Sequence, residues 1–515
     1  MKTTESRKNN SIKNMGFAVG AYVITVLLAF VERRFLVRSL SGVYVGVSGV
    51  MTNVMSILAI SELGFGEALM FSLYKPIREN DENRIVALLR LYKKTYLIIS
   101  IIIVVASIVF APFLPSFVKN SDIPLKELYC IFYLYVLNTL VSYFGASRRS
   151  LIIAYQKRFI VSATHCICRA IMYIAQIIFL VSTHNYFLYL IISICATLAE
   201  GLILYVITGK KYRVVKRKDK IILPSDNKKE ITKKIVAMAM HKIGGTLVTS
   251  TDNLLISRII GVVEVGLFSN YILLKTTIYT VTHSLFKAVI ASMGDLGNDR
   301  KDYAEKIFSV IYYASGWLFG WCSICLLCLY DDFISLWLGS SYVLDRLTVI
   351  LIVISFYLTC MREPVIMTRD AFGLFWKDRW KPVAEAIINL VTSIVFASFM
   401  GLSGIVLGTI VSTLLTCFWI EPLVLYKYGF DRSCKKYFIK YLMYVCITLL
   451  AFLATYVFCK IITQVSIVSF VIKMIVCIVV PNVIFSLLTL KTDEFKYLYN
   501  GLITRMKKKI GGKHQ

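Results

Sequence analysis

The sequence predicts an all-α, polytopic integral membrane protein of about fourteen transmembrane helices. Three observations predict it. Hydrophobic residues make up 57% of the chain and charged ones only 17%, against about 45–50% and about 25% in soluble domains. The apolar residues fall in long uninterrupted blocks, many near the roughly 20 residues that cross a bilayer as a helix. Lys and Arg collect in the short segments between those blocks. Within lipid every backbone N–H and C=O has to be satisfied inside the protein, so blocks of this kind form helices.

In chain order the first six spans cover about 15–37, 43–73, 93–115, 126–147, 159–183 and 186–208. The first is too long for the apolar core of a signal peptide and lacks a small-residue cleavage site, so it is expected to be retained. The next six cover about 235–257, 262–291, 307–330, 343–361, 381–401 and 403–427, and a last pair about 437–460 and 465–490. The basic residues alternate with these spans. Lys2, Arg7, Lys8 and Lys13 precede the first, and Lys75, Arg78, Arg84 and Arg90 follow the second. The same side receives Arg148, Arg149, Lys157 and Arg158, the basic stretch 209–234, Arg300 and Lys301, Lys377 and Arg379, and Arg432, Lys435 and Lys436. Opposite loops hold isolated cations such as Lys119, Lys126 and Lys460. By the positive-inside rule both termini are cytoplasmic and the protein sits in a bacterial cytoplasmic membrane. This alternation also accounts for the net charge of +28 without a nucleic-acid partner.

The expected domains are a first lobe (1–208), a cytoplasmic basic loop (209–234), a second lobe (235–430), and an extra helix pair with a basic tail (431–515). A short repeat supports the division into two sets of six. Arg38, Val43, Val45 and Gly46 lie between the first two helices, and Arg258, Val263, Val265 and Gly266 lie between the seventh and eighth, each 220 residues on. Two six-helix lobes of the same orientation imply a central cleft opened alternately to either side.

Several stretches resemble the polysaccharide-transporter, or oligosaccharide flippase, family of the MATE-like MOP superfamily. They are Glu62 to Gly66 with Phe71 to Asp81; His241 to Gly245 with Thr251, Asp252, Asn253, Gly261, Gly266 and Tyr271; and Arg362 to Val365 with Gly373 to Pro382. The likeness runs over nearly the whole chain. Glu363 departs from it, standing where family members often carry Gln or another neutral residue. The resemblance implies transport of undecaprenyl-diphosphate-linked oligosaccharide repeat units to the outer leaflet for capsule or similar glycans. Its implied partners are that lipid-linked substrate, membrane lipids, and a polysaccharide polymerase and glycosyltransferases.

Ionisable residues inside membrane helices cost about 2.5–3.5 kcal/mol each on insertion scales and so mark cavities, pairs or pathways. Arg33, Arg34, Arg169, Lys275 and Lys287 are the candidate cationic lining for a diphosphate head group, through charge-assisted hydrogen bonds. Lys275, Tyr279, His283 and Lys287 recur every fourth residue and share one slowly drifting helix face. Glu200, His241, Asp252 and His283 are candidates for polar, ion or helix-pairing roles. The plainer alternatives are snorkelling for Arg33, Arg34, Lys242 and Lys287, an Arg169–Glu200 pair between neighbouring helices, and helix-to-helix hydrogen bonding for Asp252 with Asn253. Cys325 and Cys328 form a CxxC, with Cys322 three residues earlier, in a wholly apolar setting without a second ligand pair, and read as small hydrophobes.

The chain contains no phosphate-cradling Walker motif, HExxH or GxSxG, so the expectation is a transporter rather than an enzyme, without cofactor or metal. A cation-coupled multidrug exporter of the same fold and a lipid II flippase are the alternatives. A glycan polymerase or ligase is disfavoured because every outer loop is short.

Overall fold

A computed structural model describes residues 2–62, 65–118, 123–217, 245–246, 248, 250–290 and 301–500. Among them there is no strand. The chain divides into two compact units, Met1–Ser269 and Asn270–Gln515.

The first unit contains α1 (Lys2–Ser39), α2 (Gly42–Leu58), α3 (Phe65–Glu79), α4 (Glu82–Phe110), α5 (Leu125–Phe144), α6 (Ala146–Ala154), α7 (Arg158–Thr183) and α8 (Tyr186–Lys211). The described helical run 250–259 is α9, and the first turns of α10 (Val262–Ile290) follow. Local chemistry sets several boundaries. The Asp81 side chain accepts from the Arg84 amide and starts α4, and Asn185 accepts from Phe187 and Leu188 to start α8, each satisfying an amide that the first helical turn leaves unpaired. The expected second span of 43–73 is broken by a 3₁₀ turn at Ala59–Glu62, beside Gly64 and Gly66, residues of poor helix propensity. Helix α1 packs on α7, α7 on α8, and α8 on α5, while α3 packs on α4 and α6.

The second unit contains the rest of α10 and α11 (Lys301–Trp337), α12 (Arg346–Ala371), α13 (Lys381–Met400), α14 (Leu402–Leu415), α15 (Cys417–Val424), α16 (Lys435–Ile461) and α17 (Ile467–Thr489). Its buried centre is α11 and α12, whose apolar stretches are 61% and 67% buried, against 22% in α13 and α17. The last pair, α16 and α17, packs on α11. The expected span 403–427 is interrupted at Thr416 and ends in a π-helical turn, Leu425–Phe430, just after Pro422. Such turns loosen the regular ladder and are frequent at functional sites.

Ten of the described helical segments are long and apolar enough to cross a membrane, and α2 is a shorter apolar helix. The described part of each expected span is helical through most of its length, with turns at Gly145 and Thr416 and non-helical ends at 343–345 and 465–466. Exposure is inverted relative to a water-soluble protein. On α4, Leu97, Ile101, Val105 and Ile108 are exposed, while Tyr92, Tyr96, Ile99 and Ile103 are buried. The exposed stripe at helical spacing is a lipid-facing surface. The chain is a multi-pass membrane protein.

The repeated segment acquires a structural role. A Cβ placed on Gly46 would fall on the carbonyl of Val262, and one on Gly266 would press on Gly42 and Gly46. Gly46 and Gly266 are equivalent in the repeat, as are Gly42 and Val262. The two copies therefore cross at equivalent residues, with α2 and the start of α10 in backbone contact.

Candidate functional site

In the first unit a polar track runs through an apolar bundle. Glu32, on α1, is buried, and Tyr189 donates to it. Its Oε1 is buried without a hydrogen-bond partner among the described residues. Arg33 donates through Nη2 to Ser269 Oγ, which donates to the Gly266 carbonyl at 2.9 Å. Tyrosines frame the pair: Tyr135 donates to Ser48 Oγ at 2.9 Å and lies 3.2 Å from the Tyr186 hydroxyl, and the Tyr44 and Tyr186 rings stand 4.9 Å apart. On α7, His165, Arg169, Tyr173 and Gln176 recur at helical spacing. Gln176 donates to the Tyr189 carbonyl at 3.1 Å and to Ser193 Oγ at 2.9 Å. Tyr173 lies within electrostatic reach of both Glu32 and Arg169.

Glu200, on α8, is buried and bound by Arg149 at 2.9 Å and by His165 Nδ1 at 3.0 Å. Arg169 acts on Glu200 electrostatically, while its Nη1 lies 3.4 Å from Met172 Sδ. The carboxylate thus takes its hydrogen bonds from α6 and from the turn before Arg169. Arg34 is half-buried on α1, and Asp252 and Asn253 are half-buried on α9.

In the second unit the fourfold spacing on α10 resolves into contacts with one neighbour. Lys275 Nζ donates to Ser355 Oγ at 3.1 Å, Tyr279 donates to Glu363 Oε1 at 2.6 Å, and His283 Nε2 lies 3.4 Å from Glu363 Oε2. Ser355 and Glu363 are two turns apart on α12, so three α10 side chains read one face of it. The Lys287 side chain and His241 lie outside the described residues.

Beyond Glu363 lies an ionic cluster that spacing did not reveal. Arg362 reaches Glu421 through Nε at 3.0 Å and Nη2 at 2.8 Å, and Glu385 at 3.5 Å; Lys381 also bonds Glu421. Arg362, Lys381 and Glu385 stand within the family-like stretch or just past it, but the acid that joins them is 59 residues from Arg362. The cysteines also find company. Cys328, Cys459 and Cys477, from three helices, bring their thiols within 4.8 Å of one another, so the second set of ligands absent from the local sequence is supplied by α16 and α17. Three soft sulfurs at that separation are able to hold a thiophilic ion.

Residues 11–291 match the family described as polysaccharide biosynthesis protein. The chain belongs to that family. Its fold is that of MOP-superfamily transporters. The lipid II flippase MurJ, in an inward closed conformation, superposes with a TM-score of 0.67 at 14% identity, covering 92% of this chain and 98% of that one. A Vibrio cholerae MATE transporter gives 0.58 at 12% identity, covering 83% of this chain and 98% of its own. An inward-facing multidrug resistance MATE transporter gives 0.56 at 12% identity, with 79% and 97% covered. No curated protein sequence matches.

Within a polysaccharide biosynthesis protein of this fold, the two polar regions have distinct chemical capacities. The first unit offers a guanidinium, phenols and a buried carboxylate. The second offers a lysine and a histidine beside hydroxyl groups, anchored by Glu363. Both provide donors suited to phosphate and sugar hydroxyls. The signals that would have found the residues missed by sequence reading are a polar stripe on an apolar helix, for His165 to Gln176, and a lone acid beside a helix-breaking proline, for Glu421 and Pro422.

Proposed function

We propose that this protein moves undecaprenyl-diphosphate-linked oligosaccharide repeat units from the cytoplasmic to the outer leaflet of a bacterial cytoplasmic membrane, for surface polysaccharide synthesis. The observation that carries this reading is the placement of cationic and hydroxyl donors, Arg33 and Lys275 above all, inside the helices of a polysaccharide biosynthesis protein. An anionic diphosphate head needs such donors to offset its loss of hydration. The moving parts are the lobes 1–208 and 235–430, working by alternating access, with 431–515 as an added pair. Arg33, Arg34, Arg169, Lys275 and Lys287 bind the head group, and Glu200, His241, Asp252 and His283 shape or pair the helices around it. A negative-inside potential of 100 mV favours outward movement by about 2.3 kcal/mol per negative charge. A polymerase and glycosyltransferases would act on either side of this step.

A cation-coupled exporter is the second reading, favoured by the buried, unpartnered Glu32 Oε1. Lipid extracts from cells depleted of the protein separate the two. The flippase reading expects complete lipid-linked repeat units to accumulate in the cytoplasmic leaflet while surface glycan is lost. Unchanged lipid-linked pools with raised sensitivity to toxic organic cations would replace it with the exporter. Accumulation of lipid II instead would assign the cell-wall precursor as cargo.

A further inference from the structure

The polar residues described so far leave one basic pocket unused. At the start of α4, a cavity of about 370 Å³ is lined by Arg90, Lys93, Ser147, Arg148 and Arg217, with Val214 and Val215. A second cavity of about 420 Å³ shares Lys93, Ser147 and Arg148 as a wall and continues along Tyr96, Leu97, Leu140, Tyr143 and Phe144. We infer that this pair of cavities is a binding site for a phosphate-headed membrane lipid, with the phosphate held in the basic pocket and a hydrocarbon chain in the adjoining groove.

Arg148 carries the argument. It is 5% exposed, its guanidinium lies over the Tyr205 ring at 4.6 Å, and its Nη1 is buried without a hydrogen-bond partner among the described residues. Its neighbour Arg149 has the carboxylate of Glu200. Tyr205 also hydrogen-bonds the guanidinium, so it is Nη1 that is left unmet. A buried donor with nothing to donate to is expensive, and an anion in the pocket would satisfy it. Lys93 and Arg90 are exposed at the rim. Arg217 bonds Asn83 at 2.8 Å and Glu82 at 3.3 Å, and it lines the basic pocket but not the groove.

The groove points to a lipid rather than a soluble phosphate. From Lys93 to Ser100 on α4, and from Ser147 at the start of α6 back to Leu140 on α5, each wall runs seven residues, about 10 Å at the helical rise. Both walls lead from the basic pocket into the apolar stretch, where Leu97 and Phe144 face outward. Tyrosines 92, 96, 143 and 205 line the junction, as aromatic side chains do at the depth of lipid head groups. By the distribution of basic loops this end faces the cytoplasmic leaflet. The site does not depend on which lipid-linked cargo the protein carries.

Native mass spectrometry of the full-length protein, after reconstitution in phosphatidylcholine nanodiscs with graded phosphatidylglycerol, counts the lipids that stay bound. Phosphatidylglycerol should be retained over phosphatidylcholine. Arg148→Gln should lower its retention by about tenfold, the loss expected for one charge-assisted hydrogen bond, and Arg148→Lys should restore part of it. Inorganic phosphate at millimolar concentration should not displace it. If Arg148→Gln fails to fold, the rim substitutions Arg90→Gln and Lys93→Gln together make the same test. Equal retention of the two lipids, an unchanged count in these variants, or a fall in both lipids alike would overturn the inference. Displacement by inorganic phosphate alone would reassign the pocket to a free anion.

Discussion

Glu421 has no exposed surface and is bonded to both Arg362 and Lys381. Removing its charge leaves two buried cations, with Arg362 keeping only the longer contact to Glu385, at 3.5 Å. Glu421→Gln should therefore destabilise the protein by about 3–5 kcal/mol, the range for breaking a buried ion pair from one side. Glu363 differs: as Gln it still offers a carbonyl to the Tyr279 hydroxyl, and Glu363→Gln should cost about 1 kcal/mol or less. Denaturant unfolding of both variants in the same detergent checks the order, and equal losses would refute this division of roles. Lys275→Ala removes a hydrogen bond to Ser355 but leaves Glu363 with its partners. It should fold normally and reduce transport, read as accumulated lipid-linked repeat units beside unchanged protein level. The sequence made the α10 stripe legible because a helix converts a period of four into one face. It left Glu421 hidden because the partners of a buried acid are chosen by tertiary packing. Glu200 lay between these cases: its depth was readable, but the nearest cation by depth, Arg169, lost the hydrogen bonds to Arg149 and His165.

At the scale of elements, the α2–α10 crossing makes the sharpest demand on residue size. Gly46→Ala and Gly266→Ala each insert a Cβ against backbone that cannot rotate away. Each should cost about 1–3 kcal/mol, as overpacking does. Gly209, near the end of α8, has nothing within 4 Å of an added Cβ. Gly209→Ala should be neutral or stabilise by up to about 1 kcal/mol through helix propensity. Melting midpoints of the three variants in one detergent test the contrast, and a Gly46→Ala protein as stable as Gly209→Ala would dismiss the close crossing. The repeat was visible as four shared residues at a fixed offset, yet its contact was not, since similarity of two segments does not say that they touch. Helix interruptions were less legible. Apolar length alone ran the second span through Ala59–Glu62 and the last span of the second six through Thr416, because hydropathy reports burial in lipid and is blind to local backbone geometry.

For the whole molecule, the placement of basic residues predicts the topology. If the positive-inside reading holds, Arg217 and Arg432 lie in the cytoplasm, while Gly339 and the turn between α16 and α17 face outward. A fluorescent protein fused after Arg217 or Arg432 should fluoresce, and alkaline phosphatase fused at Gly339 or Gln464 should be active, with the reciprocal fusions silent. The paired readout matters, because a fusion that merely disrupts folding silences both reporters, whereas an inverted topology exchanges them. Exchange at all four positions would place the Arg148 pocket on the outer leaflet, while a negative-inside potential would still favour outward movement of an anionic head. Exchange confined to positions after Arg217 would mean an even number of crossings between Arg217 and Gly339, and if the change fell before Arg258 the two copies of the repeat would stand in opposite orientation. The predicted pattern keeps both copies on the outer side, where the Gly46–Gly266 crossing holds the starts of α2 and α10 together.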